Sequence, residues 1–126
     1  MIRLSNSSLS VYRDCPRCFF MEQNQKVKRP RGIFPSLPSG IDRIMKAMVD
    51  RCVESGAAVH HLRGLSGAGV YPDRASIRRW QNWRTGLTCE IQCRNQPVTI
   101  IGAVDDVLQW ANGAVSPLDF KTKGSA

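Results

Sequence analysis

Two short runs near the C-terminal end hold residue types that can do chemistry. They are GAVDDVL at residues 102–108 and PLDFKTK at residues 117–123. Asp119 and Lys121 are two apart on a predicted strand, so they point to the same face. Asp105 falls on the preceding predicted strand, and Asn112-Gly113 between the two strands is a hairpin signal. Neighbouring strands can thus bring Asp105, Asp119 and Lys121 into one patch. Two carboxylates can share a hard divalent cation such as Mg²⁺ or Mn²⁺, which prefers oxygen ligands and keeps waters for a substrate phosphate. An ammonium two residues along can orient a water and offset developing negative charge. That combination is suited to phosphodiester hydrolysis. Taken alone, an Asp-x-Lys pair is also what an ordinary surface ion pair looks like, worth at most about 1 kcal/mol.

The elements that must position these residues can be read from periodicity and punctuation. Ser5 to Phe20 reads as a short helix capped by Ser5, Asn6, Ser7 or Ser8, with Pro16 breaking it or starting a new turn. Residues 26–38 read as a basic, proline-broken loop. Ser39 to about Ser55 is the clearest helix. Ser39 is its expected N-cap, with Asp42 in a capping-box position and Gly56 as the stop. Ile41, Ile44, Met45, Met48 and Cys52 make its apolar face, and Asp50 falls off that stripe as a solvated charge. Asp73 to Arg84 reads as a second helix, with Trp80 and Trp83 placed in the core and Arg78, Arg79 and Arg84 facing solvent. The remainder reads as three strands, Leu87–Arg94, Val98–Trp110 and Val115–Thr122. Helices followed by a mixed or antiparallel sheet predict an α/β class of the α+β mixed kind. His60 and His61 are expected in a loop or strand, outside any site, and the nearby glycines do not match a phosphate-binding loop.

The chain has 126 residues, 18 Lys/Arg and 10 Asp/Glu, a formal net charge of +8, and 42% hydrophobic residues. This is the size and composition of one globular domain rather than a disordered chain. Residues 1–84 hold 15 Lys/Arg and 6 Asp/Glu, whereas residues 85–126 hold 3 and 4. The basic front suits a polyanion, through phosphate contacts that release counterions. The loop residues Lys26, Lys28, Arg29 and Arg31, and the helix residues Arg78, Arg79 and Arg84, are the candidate nucleic-acid contacts. No apolar run reaches the roughly 18–20 residues of a membrane span, and the first residues lack a secretory signal. A cytoplasmic protein with no membrane partner is expected. The five cysteines, Cys15, Cys18, Cys52, Cys89 and Cys93, are odd in number, which argues against a disulfide framework. Cys15-Pro16-Arg17-Cys18 has zinc-knuckle spacing, but Cys89 and Cys93 are poorly placed to complete it, and free thiols are the expectation.

Three segments together resemble the PD-(D/E)xK nuclease superfamily in its RecB-like branch, which includes CRISPR-associated exonucleases. SNSSLSVYRDCPRCFF (residues 5–20) resembles the branch's opening pattern S-x-S-x-L-x-x-Y-x-x-C-P-x-x-F/Y. Gly102-x-x-Asp105 resembles its first metal-binding strand, and Asp119-Phe120-Lys121 its D-x-K strand. The resemblance implies a restriction-endonuclease-like core. It implies Asp105 and Asp119 as ligands of Mg²⁺ or Mn²⁺, joined by the backbone carbonyl of Phe120, and Lys121 as the catalytic lysine. Asp106 points to the opposite strand face. The implied partner is DNA, single-stranded or at duplex ends, in DNA repair, recombination or phage and CRISPR-type processing.

Three family features are not found. The branch's histidine one turn after a glycine of the first core helix is replaced by Ile44, four positions after Gly40. Its Q-x-x-x-Y helix does not occur in these residues. The late cysteine trio that would join Cys15 in an iron–sulfur cluster is also lacking. On this reading residues 1–126 are one nuclease-like domain without its last core helix and strand, comprising an N-terminal helix and basic loop (1–38) and the start of the core (39–126). The alternatives are an inactive nucleic-acid-binding module of the same fold and a Cys-ligated zinc protein.

Overall fold

The structure, a computed structural model, describes residues 2–30, 32–33 and 36–121, without the Ser36 side chain. The architecture is mixed α+β, with four α-helices and two three-stranded sheets. The chain gathers into two compact units, Met1–Phe34 with Trp83–Gly102, and Pro35–Asn82 with Ala103–Ala126.

In the first unit, strand β1 (Ile2–Ser5) leads into helix α1 (Asn6–Asp14) and helix α2 (Pro16–Gln25), and strands β3 (Leu87–Cys93) and β4 (Gln96–Gly102) complete it. β4 is central: β1 pairs with it in parallel from Ile2 opposite Val98 to Ser5 opposite Ile101, and β3 pairs with it antiparallel. Pro97 precedes the stretch that β1 pairs, so its missing N–H breaks no bond there. Ser5 opens α1 through a capping box: the Ser8 N–H donates to Ser5 Oγ at 3.2 Å, and the Ser5 N–H donates to Ser8 Oγ at 2.7 Å. Pro16 does not end helical structure. It takes the first position of α2, where an N–H is not needed, and Cys15 is the shared cap of both helices.

In the second unit, helix α3 (Ser36–Ser55), a 3-10 turn (His60–Leu62), strand β2 (Ala68–Val70) and helix α4 (Arg74–Gln81) precede strands β5 (Asp106–Trp110) and β6 (Val115–Leu118). The sheet is antiparallel with β5 in the centre. α3 begins three residues before the expected Ser39, because Pro38 is tolerated in a first turn. Its end is as expected: Gly56 takes φ +71°, the Gly56 N–H bonds the Val53 carbonyl at 3.3 Å, and the Ala57 N–H bonds the Cys52 carbonyl at 2.9 Å, which is a Schellman stop. α4 is capped by Asp73, whose carboxylate accepts from the Ser76 N–H at 3.1 Å. α4 stops at Gln81, so Trp83 and Arg84 lie beyond it, and Trp83 is exposed rather than in the core. Asn112-Gly113 does turn the chain, with Gly113 at φ +82°.

Two expected elements divide differently. The single strand expected over Val98–Trp110 is β4 and β5 in different sheets, interrupted at residues 103–105. The strand expected to reach Thr122 ends at Leu118, and Asp119, Phe120 and Lys121 continue past it.

Asp106, the first residue of β5, is fully buried. It receives Arg74 in a two-point fork, Nη1 to Oδ1 at 2.8 Å and Nη2 to Oδ2 at 2.7 Å, while Arg74 Nε donates to Asp50 at 2.8 Å. Asp50 of α3, Arg74 of α4 and Asp106 of β5 are thereby one cluster beside the apolar core of Val49, Val59, Ile77, Val107 and Leu108. Asp50 is therefore an ion-pair partner, not the solvated charge the apolar periodicity implied. Removing one partner of a buried pair strands a charge and costs about 3–5 kcal/mol. Arg74→Met is accordingly expected to lower unfolding stability by that order in urea titration. Replacing Arg74 and Asp106 together with apolar residues of similar volume is expected to cost less than the single change.

Candidate metal and catalytic site

The β5–β6 hairpin aligns the residues at issue. Asp106 faces Leu118 across the ladder, so the preceding Asp105 comes level with Asp119. Asp106 opens β5 with its carboxylate buried against Arg74, and Asp105, just before the strand, turns its carboxylate to Lys46 and the Phe120 N–H. The Asp105 carbonyl accepts from Gln81 Nε2 of α4 at 2.7 Å, and its Oδ2 accepts from the Phe120 N–H at 2.8 Å. The second bond folds residues 119–121 back over Asp105.

Asp105, Asp119, Phe120 and Lys121 line one open pocket of about 410 Å³, bounded on the α3 side by Pro38, Ser39 and Asp42. Lys121 Nζ lies 2.8 Å from Asp119 Oδ2, and both side chains are exposed, which makes this a weak pair energetically. All the residues proposed for chemistry from the sequence are thus gathered in one place.

Two members of the site were missed. Lys46 of α3 lies one turn beyond Asp42, and its ammonium bridges two carboxylates, Asp42 Oδ2 at 2.8 Å and Asp105 Oδ1 at 2.9 Å. Asp42 is not a cap, since α3 starts six residues earlier and the carboxylate turns to Lys46. The available signal was the row Asp42, Lys46, Asp50 at successive spacings of four along one helix face. The expected apolar face had drawn attention away from it. In the structure Ile44 is exposed and Val49 is buried, so the inward face is rotated toward that polar row.

The electrostatics follow from these contacts. Partial burial pushes the Asp105 carboxyl up, but the hydrogen bonds from Lys46 and the Phe120 N–H, the Lys46 charge and the neighbouring Asp119 carboxyl outweigh it, and the net shift is downward. Burial likewise pulls the Lys46 ammonium down, while Asp42 and Asp105 more than compensate and hold it up. Lys121 is raised by Asp119. The hard oxygens of Asp105 and Asp119 suit Mg²⁺ or Mn²⁺, which bind through one or two carboxylates and fill their remaining positions with water and phosphate. Among the described residues no three His, Cys, Asp or Glu side chains group as a metal site. The carboxylates of Asp105 and Asp119 are the oxygen donors that the pocket would offer to such an ion.

The basic residues divide between the units. Lys26, Lys28, Arg29 and Arg84 belong to the first, and Arg78 and Arg79 to the second. The Lys26 ammonium bonds the Gln23 carbonyl, Arg29 lies 3.5 Å from Asp14, Arg84 stacks on Trp83 at 4.8 Å, and Arg78 is 3.9 Å from Glu54. Arg31 lies outside the described residues. Cys15 faces Cys18 in the first unit, and Cys89 and Cys93 are exposed on β3. No described helix is long and apolar enough to cross a membrane.

Because the Asp105 carboxyl is depressed, it stabilises the fold above its unfolded value, about 4, and that stability is lost as the pH falls through its lower folded value. Lys46→Met removes the largest opposing contribution to the burial penalty. The Asp105 titration in carboxyl-detected NMR is expected to move upward, and acid unfolding is expected to begin at a higher pH than in the parent protein.

A scan against protein-family models, a search of curated proteins and a search of solved structures each returned no match.

Proposed function

We propose that the chain is a metal-dependent nuclease unit acting on DNA phosphodiesters, with Asp105, Asp119 and Lys121 as its working residues, in a cytoplasmic setting of DNA repair or processing. The observation that carries this reading is the convergence of Asp105, Asp119 and Lys121 on one open pocket, with Phe120 clamped to Asp105 between them. The resemblance of the opening segment, of Gly102-x-x-Asp105 and of Asp119-Phe120-Lys121 to the PD-(D/E)xK nucleases supports it further.

In this mechanism Asp105 and Asp119 hold the ion at the pocket. A bound Mg²⁺ or Mn²⁺ supplies Lewis-acid polarisation of a phosphate and a more acidic water. Asp105 is pre-set for its part, kept ionised by Lys46 and oriented by Gln81 and Phe120. Lys121 reaches over the same pocket on an exposed arm. Its ammonium positions the attacking water and offsets charge that develops on the phosphate oxygens. The pocket is open enough to admit a strand backbone, and the +8 net charge favours its approach.

One observation favours a second reading, a nucleic-acid-binding module without hydrolysis. The Lys46 ammonium already neutralises Asp105 and Asp42, as an internal cation would. The two readings separate in one assay. With Mn²⁺ and linear single-stranded or duplex DNA, the nuclease reading expects degradation that EDTA abolishes. Asp105→Ala, Asp119→Ala and Lys121→Ala are each expected to lower the rate at least about 100-fold, the scale of losing one group that stabilises a transition state. DNA binding with no cleavage at any Mn²⁺ concentration would decide for the module.

A further inference from the structure

The α1–α2 corner holds a second reactive group that the nuclease reading does not use. Cys15 caps α2, and its Sγ accepts the Cys18 N–H at 3.3 Å. The sulfur therefore lies over the first turn of the helix, at the residue that carries the second thiol. Positions three apart in a helical turn lie about 5–6 Å between Cβ atoms, wider than the roughly 3.5–4.5 Å of a disulfide, so closing the bond draws the Cys15 cap and the first turn of α2 together. Arg29 comes against both thiols from the loop after α2. A pocket of about 220 Å³ opens beside Cys18. Arg17, Lys28 and Arg29, together with Met21 and Val27, line it, and its three cations suit a small anionic partner.

We propose that Cys15 and Cys18 form a redox-active dithiol that exchanges with a low-molecular-weight anionic disulfide of the glutathione class. Cys15 is the attacking thiolate and Cys18 the resolving thiol. In the first step the Cys15 thiolate attacks one sulfur of the disulfide, a mixed disulfide forms, and one small thiolate leaves. In the second, Cys18 gives its proton to water and attacks the Cys15 sulfur. The Cys15–Cys18 bond forms and the second small thiolate leaves. The protein thiols lose two electrons, and the small disulfide gains them as two thiols. The Cys18 thiol, the Cys18 N–H and Arg29 hold the Cys15 thiol down at about 7, against a slight upward push from burial, so a large share is ionised at neutral pH. Cys89 and Cys93 are exposed on β3 and serve as internal controls for mere accessibility.

The test treats the reduced full chain with oxidised glutathione, quenches by alkylation and maps products by peptide mass. The expected product is a Cys15–Cys18 disulfide that reduced glutathione reverses. At pH 7 Cys15 in Cys18→Ser is expected to react about fivefold faster than N-acetylcysteine, since greater ionisation is partly offset by lower nucleophilicity. That variant should accumulate glutathione on Cys15. Cys15→Ser keeps an N-cap of good type, so the helix persists, and circular dichroism checks that it does. It should show no exchange at Cys18. Arg29→Ala should slow the exchange. Glutathione distributed equally over Cys15, Cys89 and Cys93, or no internal disulfide in the parent chain, would overturn the proposal. So would one zinc bound per chain and lost in Cys18→Ser.

Discussion

The guanidinium of Arg74 is the contact on which the second unit depends. It satisfies both oxygens of a fully buried carboxylate, Asp106, and turns its remaining edge to Asp50. An ionised carboxylate with no exposure is not tolerable unless it is paired and hydrogen-bonded. Arg can meet that demand where Lys cannot, because its planar fork offers several donors in a fixed geometry. The same contact joins α3, α4 and β5. The neighbouring Asp105, just before β5, is held at the pocket by other partners, Lys46 and the Phe120 N–H.

Lys46 does for Asp105 what Arg74 does for Asp106, but near the surface. The pocket collects three carboxylates, Asp42, Asp105 and Asp119, against two ammonium groups, Lys46 and Lys121. The residual charge is negative, and it lies in a chain that is otherwise strongly basic. Asp105 is the most constrained member, with both oxygens and its carbonyl engaged, whereas Asp119 and Lys121 are exposed and paired with each other.

The first unit relies on local bonds more than on a core. Neither α1 nor α2 has a fully buried residue, and every residue of β3 is exposed. Its order comes from the Ser5–Ser8 capping box, the Cys15 cap, the Tyr12–Phe19 ring contact at 5.3 Å and the central strand β4, where Val98 and Thr99 are buried. Residues 5–20 are therefore a segment in which short-range hydrogen bonds set the structure.

Where bonding is local, the residues themselves suffice. Ser5 as a cap, Pro16 as a restart, Gly56 as a helix stop, Asp73 before α4 and the turn at Asn112-Gly113 all follow from backbone preferences over three or four positions. The hairpin that brings Asp105 near Asp119 was legible for the same reason, but Asp119 and Lys121 lie past the end of β6, and it is the Phe120 N–H bond to Asp105 that folds them over it. What tertiary structure alone decided is where polar groups turn inward. Asp42 resembled a cap and Asp50 a solvated charge, because hydrophobic periodicity scores them by type. Lys46 and Arg74 hold them half-buried in ion pairs, and those partners lie on the same helix only for Asp42. The division of residues 98–110 between two sheets is likewise absent from local periodicity, and Asp106, which opens β5, finds its partner Arg74 32 positions away in the chain. A buried charge is stable only beside its counter-charge, and that counter-charge is supplied by the fold, not by the neighbouring residues.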